Sequence, residues 1–284
     1  RPSAMAAPKP DKQRLPKKEA ETFKNIVKFY ETKQYKKGLK AADLVLKKHP
    51  EHGETLAMKG LVLNCLDRKT EAYDHVKKGL RADMRSHVCW HVYGLLYRSD
   101  RNYEQAIKSY KQALKIDCDN VQILRDLSLL QVQLRDTRGF LETRRRLLTL
   151  KSTNKMHWIA YAVANHLDGK GSEAIKVIDA YGETVKEEGR ERNYENSELA
   201  LYRNLLLEES GKYDEALEHL DACKSVVVDG FGWRKKRAEL LLYAGRRGTS
   251  SGSVLDRNEA VKAWVSLIRQ PVGADNYHFH RGLQ

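Results

Sequence analysis

Eleven basic side chains crowd positions 9–40 of the chain: Lys9, Lys12, Arg14, Lys17, Lys18, Lys24, Lys28, Lys33, Lys36, Lys37 and Lys40. Ammonium groups at that density do their chemistry by charge, since each phosphate they neutralise releases a condensed counterion. Residues 1–50 hold fourteen Lys/Arg against five Asp/Glu, a surplus of nine within a net charge of +14. An excess gathered at one end is what docking onto a polyanion requires. Other constellations are weaker. His87-x-x-x-His91 has metal-ligand spacing on one helix face, but no third ligand is suggested and zinc sites need three or four, so no metal is expected. His278-x-His280 is in the same class. There is no Gly-rich phosphate loop, no Gly-x-Ser-x-Gly elbow and no His-Glu-x-x-His, so catalysis by this chain is not expected. Cys65, Cys89, Cys118 and Cys223 form no Cys-x-x-Cys pair and read as free thiols of a reducing, cytoplasmic setting.

The elements that position the lysines are set by a period. Leu46, Leu80, Leu114 and Leu148 fall 34 residues apart, the length of the tetratricopeptide helix–turn–helix unit. The unit 87–120 carries Trp90, Tyr93, Gly94 and Tyr97 on a first helix and Ala106, Tyr110 and Ala113 on a second. Gly94 and Ala106 are the small residues that let two antiparallel helices approach. Gly60, Ser128 and Ala162 repeat the first small position; Gly38, Ala72 and Ala174 repeat the second, where Phe140 stands as a bulky exception. No proline occurs between Pro50 and Pro271, in keeping with nearly continuous helix pairs. The fold class expected is therefore all-α, a right-handed superhelical solenoid of such pairs.

The expected organisation is a basic mobile tail over 1–16, five repeats over 17–188, and further repeats over 189–284. The phase slips by about eight residues through Glu187–Asn196, and Gly211-Lys212-Tyr213-Asp214-Glu215-Ala216 restores it. A Gly/Ser-rich insertion over 245–253 reads as a mobile loop, and the array resumes at Asn258-Glu259-Ala260. A new first helix is expected from Asn276, with the array cut at Gln284, as in a piece of a longer one. Met5 reads as a true start. On the first helix, expected from Lys17, Phe23, Ile26, Val27 and Tyr30 form the buried stripe, and Lys17, Lys24 and Lys28 share a face away from it. Lys33, Lys36, Lys37 and Lys40 are placed on the second helix as a basic strip, extended by Lys47 and Lys48. Arg144-Arg145-Arg146 and Arg234-Lys235-Lys236-Arg237 are read as surface solubilisers pointing in different directions, and Trp233 as core. No apolar run approaches a membrane span.

Several runs say more than the repeat dictates. Leu15-Pro16-Lys17-Lys18-Glu19, Tyr30-Glu31-Thr32-Lys33-Gln34-Tyr35, His52–Leu61, Ser86–Leu96 and Gln122–Gln131 include solvent-side residues that packing leaves free. With them the chain resembles the N-terminal third of the auxiliary, tetratricopeptide subunit family of the NatA N-terminal acetyltransferase. The resemblance is strong over 15–165, looser to 245, and departs at the Gly/Ser insertion. It implies a non-catalytic scaffold in a heteromeric complex. Such a scaffold binds a catalytic N-acetyltransferase subunit that carries the acetyl-CoA, and docks it on the ribosome, against rRNA near the exit tunnel, for co-translational acetylation. Much of the grip on the catalytic subunit, and an inositol phosphate site, would lie largely beyond Gln284; no cofactor is expected on this segment. The alternatives are a repeat adaptor that clamps a chaperone's C-terminal carboxylate and a scaffold of RNA processing. The clamp needs Lys and Asn on the inner face of the first helices, where this chain has Phe23 and Val27, Ala57 and Leu61, His91 and Leu95.

Overall fold

The computed structural model describes residues 14–185, 191–246, 254–270 and 276–282. Among them every regular element is an α-helix, and the chain divides at Leu150/Lys151 into two compact units. Unit 1 contains α1 (Lys17–Glu31), α2 (Tyr35–Lys48), α3 (Gly53–Cys65), α4 (Lys69–Ala82), α5 (His87–Ser99), α6 (Tyr103–Ile116), α7 (Val121–Gln133) and α8 (Thr137–Leu150). Unit 2 contains α9 (Lys155–Leu167), α10 (Gly171–Val185), α11 (Tyr194–Glu209), α12 (Tyr213–Ala222), α13 (Gly230–Arg246), α14 (Val254–Ile268) and α15 (Tyr277–Arg281). In each unit consecutive helices pack pairwise, as the 34-residue period requires.

Three local signals recur at that period and explain why the helices stop and start where they do. First helices are capped by His52, Ser86, Asn120 and Asn154, whose side chains accept from a backbone N–H two or three residues on. Each cap satisfies one of the donors a helix start leaves free. The turn from first to second helix passes through one left-handed residue: Lys33, Asp67, Arg101 and Arg135, all at φ between 57° and 61°, then Gly169 at 76°. The third signal is the small residue at the crossing. A Cβ on Gly60 would come within 2.6 Å of Val76 and 2.7 Å of the Ala72 carbonyl, so α3 and α4 meet backbone to backbone. Ala72, Ala106 and Ala174 are fully buried at the facing position, and Phe140 takes that place on α8 at 4 % exposure. The leucines that announce the period lie at the edge of this core. Val45, Ala113 and Leu147, one position earlier, are the buried residues, while Leu46, Leu80, Leu114 and Leu148 are half-buried.

The phase slip has two parts. First helices α9 and α11 begin at Lys155 and Tyr194, 39 residues apart, while second helices α10 and α12 begin at Gly171 and Tyr213, 42 apart. The connection thus absorbs five residues of the slip, and α11, at 16 residues against 13 for α9, absorbs three. At the crossing of α11 with α12 the small residue is replaced by Asn204, fully buried, whose Nδ2 donates to the Ala216 carbonyl at 2.6 Å. The expected insertion begins later than its composition suggests, since Gly245 and Arg246 still belong to α13; 247–253 lies outside the described residues. Asn276 caps α15, and Gly282 lies where a Cβ would fall 2.7 Å from the Trp264 indole, the close approach expected of that glycine.

Candidate functional site

On α1 a turn of about 100° per residue puts Lys24 and Lys28 in line with Lys17, and Ile26 half a turn away. Ile26 is fully buried, Phe23, Val27 and Tyr30 pack partly buried against the same core, and Lys17, Lys24 and Lys28 are exposed. The same geometry places Glu21 among these lysines, so the α1 face is mixed in sign. The α2 side is more uniformly basic. Lys36 and Lys40 share a ridge with Lys47, and the one acid on it, Asp43, pairs with Lys59 at 2.8 Å. Lys33, expected on the second helix, lies instead in the left-handed turn ahead of α2, because the helix cannot begin until the chain has reversed. Even so, Lys33, Lys36 and Lys37 come together around one shallow depression with Tyr35 and Leu66. Lys48 does not extend the strip, because it is held by Glu19 at 2.8 Å, which ties the end of α2 to the start of α1 and lowers the Glu19 carboxyl through that hydrogen bond.

Arg14 and Lys18 are exposed at the start of α1; Lys9 and Lys12 lie outside the described residues. Nine of the eleven expected residues lie among those described; all nine are exposed, and none is engaged in an ion pair among the described residues. Unpaired surface ammoniums keep their full charge for a partner.

The other basic runs behave differently. Arg234 donates to Gln270 at 3.2 Å, Lys235 faces Glu239 at 3.9 Å, Lys236 pairs with Glu208, and Arg237 pairs with Asp221 at 2.8 Å and faces Glu259 at 3.8 Å. That run is internal bracing rather than free surface, which corrects the expectation of a solubilising patch. Trp233 is core, as expected: half-buried, with its indole N–H donating to the Leu220 carbonyl at 2.8 Å. Arg144, Arg145 and Arg146 do point apart. Arg144 lies over the Phe140 ring at 5.1 Å, Arg146 bonds Asp119 at 3.1 Å, and Arg145 is exposed.

His87 and His91 face separate carboxylates, Asp117 at 3.7 Å and Asp126 at 2.8 Å. Asp126 also accepts from Arg98 at 2.9 Å and Gln122 at 3.3 Å. Burial alone would raise its carboxyl; the hydrogen bond from His91 and the charges of His91 and Arg98 outweigh that and hold it below its ordinary value. The repeat pattern does not predict this bracing between first helices, which joins α5 to α7 across the intervening second helix. All four cysteines are free. No described helix is long and apolar enough to cross a membrane.

The family described as "Psidin, N-terminal TPR repeats region" matches residues 22–246. The chain is 53 % identical over 272 residues to the N-terminal acetyltransferase A complex auxiliary subunit NAA15 of Arabidopsis thaliana, covering 95 % of this chain and 29 % of that protein. It is 47 % identical to the human N-alpha-acetyltransferase 16, NatA auxiliary subunit, covering 95 % of this chain and 30 % of that one. Among solved structures, that of Naa15/Naa10 bound to HypK-THB superposes with a TM-score of 0.76 at 36 % identity, over 94 % of this chain and 38 % of the other. The chain spans less than a third of the length of these curated relatives. With the repeat, its caps, turns and crossings all in place, this chain belongs to the Psidin N-terminal tetratricopeptide-repeat family, and it is similar to the N-terminal part of NatA auxiliary subunits.

Proposed function

We propose that this chain is the N-terminal repeat region of an auxiliary subunit of an N-terminal α-amino acetyltransferase complex, and that its basic end docks the complex on the ribosome. The auxiliary reading is supported by relatives named as NatA auxiliary subunits and by a structural neighbour whose name pairs Naa15 with a separate chain, Naa10. In this reading the acetyl-CoA sits on the catalytic partner, any inositol phosphate belongs to the full-length complex, and the protein works in the cytoplasm beside the exit tunnel. The observation that carries ribosome docking is the set of nine exposed basic residues on and around α1 and α2 that make no ion pair among the described residues. A tetratricopeptide pair offers them as one flank of the stack, and rRNA supplies the phosphates that release counterions on contact.

The test is co-sedimentation with ribosomes. Reversing Lys17, Lys24, Lys28, Lys36, Lys37 and Lys40 to Glu is expected to weaken sedimentation and its salt dependence, with helical content by circular dichroism unchanged. Unaltered, salt-insensitive sedimentation would refute the docking role. The purified chain alone is expected to leave Ser- and Ala-starting peptides unacetylated in the presence of acetyl-CoA, and turnover by the pure chain would refute the auxiliary role.

A further inference from the structure

In the third repeat the space outside first helix α5, between second helices α4 and α6, is filled by aromatic rings. Trp90 donates its indole N–H to the Met84 carbonyl at 3.0 Å. Tyr93 and Tyr97 pack with centroids 4.5 Å apart and hydroxyls at 2.7 Å, and Tyr73 closes the group at 5.8 Å from Tyr97. One repeat later the corresponding residues are Leu124, Leu127 and Gln131, each smaller than the ring it replaces. The result is an open cavity of about 740 Å³ between α6, α7 and α8.

Two properties of this cavity point to what fills it. Its floor contains Leu114, Leu124 and Leu127 with Gln131, which is 2 % exposed and whose Oε1 has no hydrogen-bond donor among the described residues. A buried amide oxygen of that kind normally has a partner. Its rim carries Lys111 and Lys115 on one side and Arg145 and Arg146 on the other. Asp119 is neutralised by Arg146 at 3.1 Å, so Lys111, Lys115 and Arg145 face outward against the single carboxylate of Glu142. An apolar floor with one unmet acceptor and a cationic rim is complementary to an apolar ring bearing one donor, set between anions. A nucleic acid strand fits less well, because the floor is aliphatic and offers no aromatic face on which a base could stack.

We propose that the groove between α6, α7 and α8 docks a partner-protein segment in which a tryptophan or tyrosine is flanked by carboxylates. The ring enters the volume left by the missing Trp/Tyr/Tyr set. Its N–H or O–H donates to Gln131 Oε1, and the flanking carboxylates meet Lys111, Lys115 and Arg145. This site is separate from the lysines of α1 and α2 and does not depend on ribosome docking.

The test uses the 284-residue chain and fluorescence anisotropy with a fluorescein-labelled peptide holding a central tryptophan between two pairs of glutamates. Control peptides replace the tryptophan by alanine or the glutamates by lysine. The acidic tryptophan peptide is expected to bind roughly tenfold more tightly than either control, a ring and its charges being the anchors of such contacts. The double substitution Leu127→Tyr with Gln131→Tyr, which restores the rings present at Tyr93 and Tyr97, is expected to abolish binding. Lys111→Glu with Arg145→Glu is expected to weaken it by about tenfold while leaving the fold intact, and decides the matter if the filled variant does not fold. Reversing the α1 and α2 lysines is expected to leave peptide binding unchanged. Equal binding of the alanine peptide, undiminished binding to either variant, or no binding of any peptide overturns the proposal. So does a single-stranded uridine oligonucleotide that binds the chain and is lost in the filled variant.

Discussion

His219 on α12 has a buried Nδ1 with no hydrogen-bond partner among the described residues. Burial, then the neighbouring Arg203 guanidinium, lowers its imidazole from the ordinary 6.5 to about 4, with Asp179 acting in the opposite direction. In the unfolded chain the same ring titrates near 6.5, so between these values the unfolded state binds more protons. The contribution of the neutral ring to stability is complete above pH 6.5 and is lost as pH falls toward and through about 4. His219→Gln, which keeps a polar side chain of similar reach without the titration, is expected to reduce the loss of stability between pH 7 and pH 5. Urea unfolding followed by circular dichroism at the two pH values measures this, and an unchanged difference would refute it. Asp126 adds to the same acid sensitivity in unit 1: its carboxyl is held low in the fold, so its contribution stands above the unfolded carboxylate range and disappears on acidification.

At the scale of the element, the left-handed turn residue is where each hairpin carries strain. A side chain at positive φ crowds the neighbouring carbonyl, and only glycine escapes that cost. Gly169 and Gly211 meet the requirement in unit 2, whereas Lys33, Arg101 and Arg135 do not. Replacing any of these three by glycine is expected to stabilise the chain by a few tenths to about 1 kcal/mol, the relief being offset in part by the entropy of the unfolded glycine. A lower urea midpoint in all three variants would contradict it. The helix pairs were legible in the sequence because packing repeats: small residues at the crossings and aromatics beside them recur every 34 positions. The turn conformation was not, since Lys33, Asp67, Arg101 and Arg135 have nothing in common until aligned with Gly169. The lysine face of α1 was legible from helix geometry alone. The loss of Lys48 to Glu19 and the bracing of Lys236 and Arg237 were not, because their partners lie 16 to 29 residues away on other helices. Nor was the groove beside α7, which follows from three substitutions whose effect is visible only against the filled repeat before it.

For the molecule as a whole, charge of one sign does two different jobs. Around α1 and α2, Lys48 apart, it is outward and without an ion pair among the described residues; along α13 it is spent on Glu208, Asp221 and Glu239. Reversal at the two places should therefore read out differently. Lys36→Glu with Lys40→Glu is expected to lower the salt needed for elution from heparin with little change in Tm. Lys236→Glu, which sets a glutamate against Glu208 in a half-buried position, is expected to lower Tm with little change in elution, and the opposite pattern would show that the roles are exchanged. The recurrence of the turn has a last consequence, for enzymatic cutting. Its exposed tips carry Lys33, Arg101 and Arg135, with Arg68 beside Asp67, all of them trypsin sites. Brief digestion of this chain would then nick it at nearly regular intervals, leaving a ladder of fragments one repeat length apart, each joining the second helix of one repeat to the first helix of the next.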